Sequence, residues 1–220
     1  MNRRLSTGMG KLFFLPMACL LMVHSALGES NYLDRPEAQE VLDAAVAEGV
    51  DRAWAEQVLE AAERKQSILD AIARPAEKTK PWHEYRKIFI TDKRIRGGID
   101  FAKEHTDTLA SVSAATGVPS EIIVAIIGVE TYYGRITGSY RVIDALSTLA
   151  FDYPKRSAFF TKELKHFLVL AYESGKDPLS LKGSYAGAMG YGQFMPSSYR
   201  AYAKAFEGHQ SADIWTSPDD

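Results

Sequence analysis

The chain has 220 residues, of which 46% are hydrophobic and 25% are charged, and its formal net charge is −2 at pH 7. These values are ordinary for a globular protein and exclude a disordered chain, a collagen-like repeat and a multi-span membrane protein. Without residues 1–28, which hold three basic residues and no acid, 23 basic and 28 acidic residues remain; the resulting net charge of −5 argues against nucleic acid as a partner.

The first 28 residues have the pattern of an export signal. A basic start precedes the apolar stretch 12–23, and small residues stand at Ala26 and Gly28, three and one positions before a predicted cut. Twelve apolar residues are fewer than the ~20 that a membrane span needs. We therefore predict a cleavable signal peptide over residues 1–28, with a buried N-terminal helix as the alternative.

Cys19 is the only cysteine. A cysteine in this region could carry a lipid, but the apolar run continues past it, and Pro16 stands where a lipoprotein signal usually has leucine. Lipid anchoring at Cys19 is therefore the less favoured outcome. Cleavage after Gly28 would leave a mature chain with no cysteine, and so with no disulfide and no thiolate metal site.

From Pro36 the sequence has the spacing of three short helices. Proline is suited to a first helical turn, and Gly49 separates two runs of apolar residues at helical spacing. A third and shorter run follows. The polar stretch 74–81 contains two prolines and is typical of a loop. We take residues 29–80 as an N-terminal helical segment.

Helical spacing continues through the rest of the chain. We predict further helices over residues 82–89, 99–115, from 119 onward, and over 143–150, 159–172 and 197–206. No stretch shows the alternation with β-branched residues that is typical of strands. The sequence therefore predicts an all-α protein. The last six residues resemble the start of one more helix, as if the chain stopped in mid-fold.

Glu130 directly follows eight uncharged residues, 122–129. A helix that is apolar on every side is normally buried, so we expect Glu130 to be buried near the end of its helix, with Gly134 as the stop. Burial and the negative helix end both favour a protonated carboxyl, which a general acid requires. On this pattern alone a structural glutamate is the favoured alternative, because structural networks also perturb carboxyl groups.

Residues 183–192 contain four glycines, which let a backbone turn tightly or approach a ligand. We expect Gly187 and Gly190 to let the backbone pass close to a ligand. Ser184 and Gln193 offer polar groups for neutral hydroxyl or acetamide groups. A plain loop between two helices is the alternative. The segment does not have the pattern of a phosphate loop, because no Gly-Lys-Ser/Thr follows.

The sequence lacks the motifs of metal binding and of a serine nucleophile. Four histidines have no metal-ligand spacing among themselves: His83, His105, His166 and His209. No Gly-x-Ser-x-Gly nucleophile motif is present, and residues 205–213 lack the acidic pattern of a calcium loop. We predict no bound metal and no cofactor.

Three stretches resemble the lytic murein transglycosylases of the B type: residues 117–131, 145–154 and 183–198. Residues 81–86 are an upstream anchor, and the similarity extends over most of residues 36–220. The resemblance implies an enzyme of peptidoglycan. It would cleave the β-1,4 bond between N-acetylmuramic acid and N-acetylglucosamine without water, and leave a 1,6-anhydromuramyl end.

The resemblance also implies an all-α fold with a lysozyme-like catalytic core and an additional N-terminal helical part. Residues 81–220 would form the catalytic domain. Members of the family usually continue past the position of Asp220 with further groove tyrosines, so this domain looks truncated at its C-terminus.

Carried over by motif, Glu130 is similar to the single catalytic acid of the family. The implied substrate-binding positions are Tyr85, Ser184, Tyr185, Met189, Gln193 and Phe194 along the glycan groove, and Lys155 and Arg156 at the stem peptides. Lys155 replaces the more usual arginine. Some members have a calcium loop where this chain has residues 205–213, but the acidic ligands are mostly missing here, so calcium is not predicted.

The implied partners are the glycan strands and stem peptides of peptidoglycan. Proteins of cell-wall synthesis or remodelling are further candidates, and nucleic acid is not expected. We expect a monomer that is exported to the periplasm. Two alternatives stay open: a hydrolytic muramidase of the goose-lysozyme type, and a non-catalytic peptidoglycan-binding scaffold.

Overall fold

The computed structural model describes residues 32–74 and 80–220. The predicted signal peptide and Cys19 lie outside the described residues, as does most of the predicted loop 74–81. The described residues form ten α-helices, two 3₁₀ helices and one two-stranded antiparallel sheet. The mostly helical architecture agrees with the predicted all-α class.

The helices follow one another in chain order, with the two short strands on either side of α8 and α9. The helices are α1 Pro36–Val46, α2 Arg52–Glu60, α3 Gln66–Ala73, α4 Trp82–Phe89, α5 Asp92–Glu104, α6 Thr106–Thr116, α7 Ser120–Thr131, α8 Val142–Asp152, α9 Ser157–Ser174 and α10 Pro196–Tyr202. The 3₁₀ helices are Tyr32–Asp34 and Pro154–Arg156. Strand β1, Tyr140–Arg141, pairs with β2, Lys182–Gly183, in a register that sets Tyr140 opposite Gly183.

Two details of the sequence-based helix prediction were wrong. The single helix expected over residues 99–115 is two helices that meet at His105. The hydroxyl of Thr106 donates toward the carbonyl oxygens of Ala102 and Lys103, each at 2.9 Å, and so competes for the end of α5. Residues 215–220 contain a turn and no helix.

The main core is shared by helices that are distant in sequence. Helices α1–α3 pack against α8 and α9, and their fully buried residues include Leu42, Leu59, Ile68, Ile143, Leu149, Phe160 and Phe167. Each such side chain contributes about 1.5–3 kcal/mol when it is buried. Helices on both sides of residue 80 therefore contribute to one core, while the domain boundary there stays a prediction.

Helix α9 is the centre of this core. Phe160, Leu164, Phe167 and Leu168 recur at i, i+4, i+7 and i+8 and are all buried, as expected for a core-facing stripe. The helix ends at Gly175, whose φ of 64° suits glycine at a C-cap.

Helix α7 is far more exposed than its sequence predicts. Ile122, Ile126 and Val129 are 51%, 53% and 48% exposed, so the expectation of a helix buried on every side was wrong. The reason is that α7 packs mainly against α5 and α6, which cover only part of its circumference. No single described helix is long and apolar enough to cross a membrane. Helices α6 and α7 have the required length and apolar character only when they are taken together, and a bend of 112° separates them.

Glu48 joins the end of α1 to two other helices. Its carboxylate accepts hydrogen bonds from Lys165 on α9 and from Arg200 on α10. The hydrogen bond from Lys165, followed by that from Arg200, lowers the pKa of Glu48 from 4.5 to about 2. The ionised carboxylate is therefore favoured by folding.

We expect Glu48→Gln to weaken the dependence of the melting temperature on pH below pH 4.5. Because the folded pKa lies below the unfolded one, the contribution of Glu48 is fully present above pH 4.5 and is lost as the pH falls from 4.5 toward 2. Melting temperatures of wild type and variant should differ above pH 4.5 and converge near pH 2. Glu60→Gln, at an exposed glutamate of α2, is the control. A wild-type-to-variant difference that does not change with pH would contradict the expectation.

Candidate active site

Glu130 lies in the last turn of α7, and its side chain is exposed. The predicted burial of this carboxyl was therefore wrong, for the same reason as the exposure of the helix. An open carboxyl at a helix end is accessible to a bulky ligand. The groups around it come from the turn that follows α7 and from the glycine-rich segment, defined here as residues 183–194.

Thr131 fixes the end of α7 to the glycine-rich segment. It is only 1% exposed. Its hydroxyl lies 3.0 Å from the carbonyl oxygen of Tyr191 and accepts a hydrogen bond from the backbone N–H of Gly134. The residue next to Glu130 is thus held from both sides.

The backbone at this site is strained. Tyr132 and Tyr133 have φ values of 53° and 59°, and Gln193 has 51°. Among the described residues these are the only non-glycine residues in the left-handed region, which costs a side-chain-bearing residue about 1–2 kcal/mol. All three lie in the turn after Glu130 or in the glycine-rich segment, and strain of this kind clusters at functional sites.

Two glycines let the turn after α7 contact the glycine-rich segment. A Cβ at Gly134 would lie 2.1 Å from the ring of Tyr191, and one at Gly138 would lie 2.0 Å from the carbonyl of Gly183. The Nε2 of Gln193 donates to the carbonyl oxygen of Thr137 at 3.1 Å. The structure therefore brings the predicted glycine-rich segment next to the turn that follows α7 and Glu130.

The two predicted polar groups of the segment are engaged within the protein. The Oγ of Ser184 accepts from the backbone N–H groups of Ala186 and Ala188, at 3.3 and 3.1 Å. The amide of Gln193 donates to Gly190 as well as to Thr137. Both side chains therefore stabilise the loop itself, as the plain-loop alternative requires. This role does not prevent them from also contacting a ligand.

We expect Ser184→Ala to lower thermal stability as well as any activity. Loss of its oxygen leaves two backbone donors without their acceptor, at a cost of about 1–3 kcal/mol. Thermal melting and initial rate should be measured on the same variant. Ser180→Ala, which removes one exposed hydrogen bond to Asp177, is the control. An unchanged melting temperature with a reduced rate would show instead that Ser184 acts on a ligand alone.

Three further residues of the segment are packed closely within the protein. A Cβ at Gly187 would lie 2.5 Å from Leu146, and one at Gly190 would lie 2.3 Å from the backbone oxygen of Ile214, so both glycines are required by the protein's own packing. Met189 is 0% exposed and belongs to the core, which contradicts its predicted substrate contact.

The two aromatic residues that were predicted to bind substrate in this segment, Tyr185 and Phe194, are nearer the surface than Met189. Tyr185 is 41% exposed. Phe194 is partly buried against the core, and its backbone exchanges two hydrogen bonds with Met189 at 2.8 and 2.9 Å.

Tyr85 connects to the site through a row of rings and a cation. It is half-buried in α4, and its ring centroid is 5.3 Å from that of Phe89. The guanidinium of Arg94 lies 5.4 Å from the ring of Phe89 and 4.9 Å from that of Tyr132. Trp82, 69% exposed, begins the row. The row ends two residues after Glu130.

Lys155 and Arg156 are on a different element from Glu130 and the glycine-rich segment. Both are exposed on the 3₁₀ helix between α8 and α9, and the guanidinium of Arg156 lies 4.3 Å from the ring of Phe159. None of the hydrogen bonds, ion pairs or ring contacts of the described residues joins this pair to Glu130 or to the glycine-rich segment.

A cavity of about 370 Å³ lies between α6, α7 and the last residues of the chain. Its lining includes Leu109, Ile123, Ile127, Tyr191 and Phe206, but not Glu130. Across residues 32–74 and 80–220, no group of three or more His, Cys, Asp or Glu residues is placed to hold a metal ion.

Glu130 is the single carboxyl group of this constellation. Residues 131–139 and 183–196, which meet beside it, contain no aspartate or glutamate. One accessible carboxyl can deliver a proton and then accept one. No motif pointed to Thr131 or Arg94, although the glycines at 97, 98 and 128 inside helical patterns were a signal of close packing.

Comparison with known proteins identifies the family. Residues 34–220 match the family described as Transglycosylase SLT domain. The chain is 44% identical, over 199 residues, to the membrane-bound lytic murein transglycosylase B of Escherichia coli (strain K12). That match covers 86% of this chain but 55% of the relative, so the chain spans about half the length of that protein.

Solved structures agree with the fold. Soluble lytic transglycosylase SltB1 from Pseudomonas aeruginosa matches with a TM-score of 0.81 and 56% identity, over 84% of this chain and 63% of that one. SltB3 from the same organism, solved with NAG-NAM-pentapeptide, matches with a TM-score of 0.79 and 29% identity, over 87% of this chain and 50% of that one. The predicted resemblance and the predicted fold, with its lysozyme-like core, are confirmed.

Proposed function

Because the chain belongs to the Transglycosylase SLT domain family and its relatives are lytic murein transglycosylases of the B type, we propose that it cleaves the MurNAc–GlcNAc β-1,4 bond of peptidoglycan without water. The product would carry a 1,6-anhydroMurNAc end. The observation that carries this proposal is the single, accessible carboxyl of Glu130, beside two segments that contain no second acid.

The chemistry needs one carboxyl group in two protonation states. The protonated Glu130 gives its proton to the glycosidic oxygen as the bond from that oxygen to C1 of the muramyl residue breaks. The resulting carboxylate takes the proton of the C6 hydroxyl as the C6 oxygen bonds to C1. The acid is regenerated, and no water is consumed. The muramyl N-acetyl group would stabilise the cationic centre, as in substrate-assisted glycosidases.

Support for a glycan substrate comes from the residue types of α4 and of the glycine-rich segment. Tyr85, Tyr185 and Phe194 offer aromatic rings, whose flat apolar faces suit sugar rings. Ser184 and Gln193 would contribute hydroxyl or acetamide contacts in addition to their roles within the loop. SltB3 was solved with NAG-NAM-pentapeptide, a fragment of the same chemistry. Lys155 and Arg156 would meet the carboxylates of stem peptides.

The deciding experiment is mass spectrometry of the soluble products released from purified peptidoglycan. Anhydromuramyl ends are expected. Reducing muramyl ends would instead identify a hydrolytic muramidase of the goose-lysozyme type, and binding without product release would identify a scaffold. Glu130→Gln is the inactive control, and Glu121→Gln, on the first turn of the same helix, is the matched active one.

We also propose export to the periplasm with cleavage after Gly28, which would remove Cys19 and with it any lipid anchor. The relatives include one named membrane-bound and one named soluble. The mass of the mature protein from cells distinguishes these outcomes, because a lipid at Cys19 would add to it and would retain residues 19–28. We expect the mature protein to be a monomer.

A further inference from the structure

Three helix glycines converge on one aromatic ring. A Cβ at Gly98 or at Gly128 would lie 2.6 Å from the hydroxyl oxygen of Tyr133, and a Cβ at Gly97 would lie 3.1 Å from its Cε2. Glycine is less favourable than alanine inside a helix. Two of these glycines are on α5 and one is on α7, and together they form a slot around one side chain. A methyl group at any of the three positions would narrow this slot.

The ring of Tyr133 fills this slot between α5 and α7. Its hydroxyl donates to the carbonyl oxygen of Arg94 at 3.0 Å, and its ring centroid is 5.7 Å from that of Phe101. The slot thus holds the tip of the ring through the hydrogen bond and through Gly98 and Gly128, and one edge of the ring through Gly97.

The ring enters the slot because the chain turns back at the end of α7, directly after Thr131. The backbone N–H groups of Tyr132 and Tyr133 both donate to the carbonyl oxygen of Ile127, and both residues have positive φ. Withdrawal of the ring would release this pair of left-handed residues. The turn that ends α7 is therefore coupled to the seat of Tyr133, and Glu130 lies in the last helical turn before it.

We propose that Tyr133 is a positioning residue for Glu130, an inference that rests on the proposed function. Tyr133 does not touch the substrate. Its ring, seated in the slot of Gly97, Gly98 and Gly128, holds the strained turn that aims the carboxyl of Glu130 across the adjoining glycine-rich segment.

A double-mutant cycle on the full chain tests this. In Gly98→Ala the new methyl group collides with the hydroxyl of Tyr133, so kcat on soluble, uncrosslinked peptidoglycan strands should fall by up to roughly 10²-fold with KM unchanged, as expected for a misplaced catalytic group. Tyr133→Phe removes the hydroxyl and should lower kcat by less. In the double variant the 2.6 Å collision is replaced by a contact of 3.1 Å with Cζ of the ring, so Gly98→Ala should lower kcat much less in the Tyr133→Phe background than in the wild-type one.

Tyr199→Phe is the matched control. The hydroxyl of Tyr199 also donates to a backbone carbonyl, that of Ala212 at 2.7 Å, and burial raises its pKa, but the residue lies on α10. This variant should lose stability as Tyr133→Phe does and keep its kcat. Equal effects of Gly98→Ala in both backgrounds, or a kcat that merely follows the folded fraction, would overturn the proposal.

A crystal structure of Gly128→Ala gives a readout that needs no activity. Its Cβ would meet the hydroxyl oxygen and Cζ of Tyr133 at 2.6 and 2.7 Å, so the ring must move. We expect the Glu130 carboxyl to shift on the order of 1 Å; an unmoved carboxyl beside a displaced ring would refute the proposal. If this variant does not fold, Gly97→Ala, with its milder contact, replaces it. A wild type that releases no product would refute the proposed function and leave this structural test decisive.

Discussion

Glu130→Gln should reduce product release from peptidoglycan by about 10²–10⁴-fold, the usual contribution of a general acid–base group. The amide has nearly the shape of the acid but cannot supply the proton. Because the side chain is exposed at the end of α7, its replacement leaves packing intact, and the melting temperature should not change. Binding of a soluble glycan fragment should also persist.

The control for this change is on the same helix. Glu121 lies in the first turn of α7, is exposed and loses the same charge in Glu121→Gln, so it reports any general effect of charge on peptidoglycan binding. Its rate should stay near that of wild type. A rate for Glu130→Gln above about a hundredth of wild type would remove Glu130 from the proton transfer.

Asp144→Ala should destabilise the protein by about 3–5 kcal/mol, the cost of breaking a buried ion pair from one side. The Asp144 side chain is 2% exposed and accepts from Nε and Nη2 of Arg141, both at 2.7 Å. It also accepts from the backbone N–H of Glu63 at 2.9 Å, ahead of α3. The change therefore leaves the backbone N–H of Glu63 without its acceptor, and it leaves Arg141 with only the Glu63 carboxylate and the carbonyl oxygen of Ala61 as partners.

Thermal unfolding measures this effect, and a fall in melting temperature of roughly 6–20 °C is expected for a chain of this size. Asp43→Ala is the comparison, because Asp43 also pairs with an arginine, Arg52, but its side chain is 68% exposed. Exposed pairs contribute about 0–1 kcal/mol. Similar losses in the two variants would mean that the burial of Asp144 adds nothing to the value of its ion pair.

Local spacing predicted most helices, because each depends on a pattern within a dozen residues. The apolar stripe of α9 is of this kind. The break at His105 was not visible, because the hydroxyl of Thr106 competes for carbonyl groups within an otherwise continuous helical pattern. The two strands were not predicted, because each has only two residues and is too short to show an alternation of apolar and polar residues.

The candidate site was predicted in its composition but not in its geometry. Glu130 and the glycine-rich segment were found from residue types, and the structure brings them together. The exposure of Glu130 was missed because apolar composition reports what a helix could bury, and burial depends on which elements pack against it. Gly187 and Gly190 were expected to let the backbone approach a ligand. In the structure they lie close to Leu146 and Ile214, and a glycine in the sequence does not show which of the two kinds of neighbour requires it.

The core shared by α1–α3 with α8 and α9 has a consequence for how the chain folds during synthesis. Tyr32 and Asp152, 120 positions apart, are hydrogen-bonded in the finished protein. At ~5–20 residues per second, a ribosome needs roughly 6–24 s to cover that interval. Throughout it, Leu42 and Leu59 lack the helices that bury them in the native fold. Folding that waits for contacts this distant is slow, and a core that closes late would suit the proposed export of the chain.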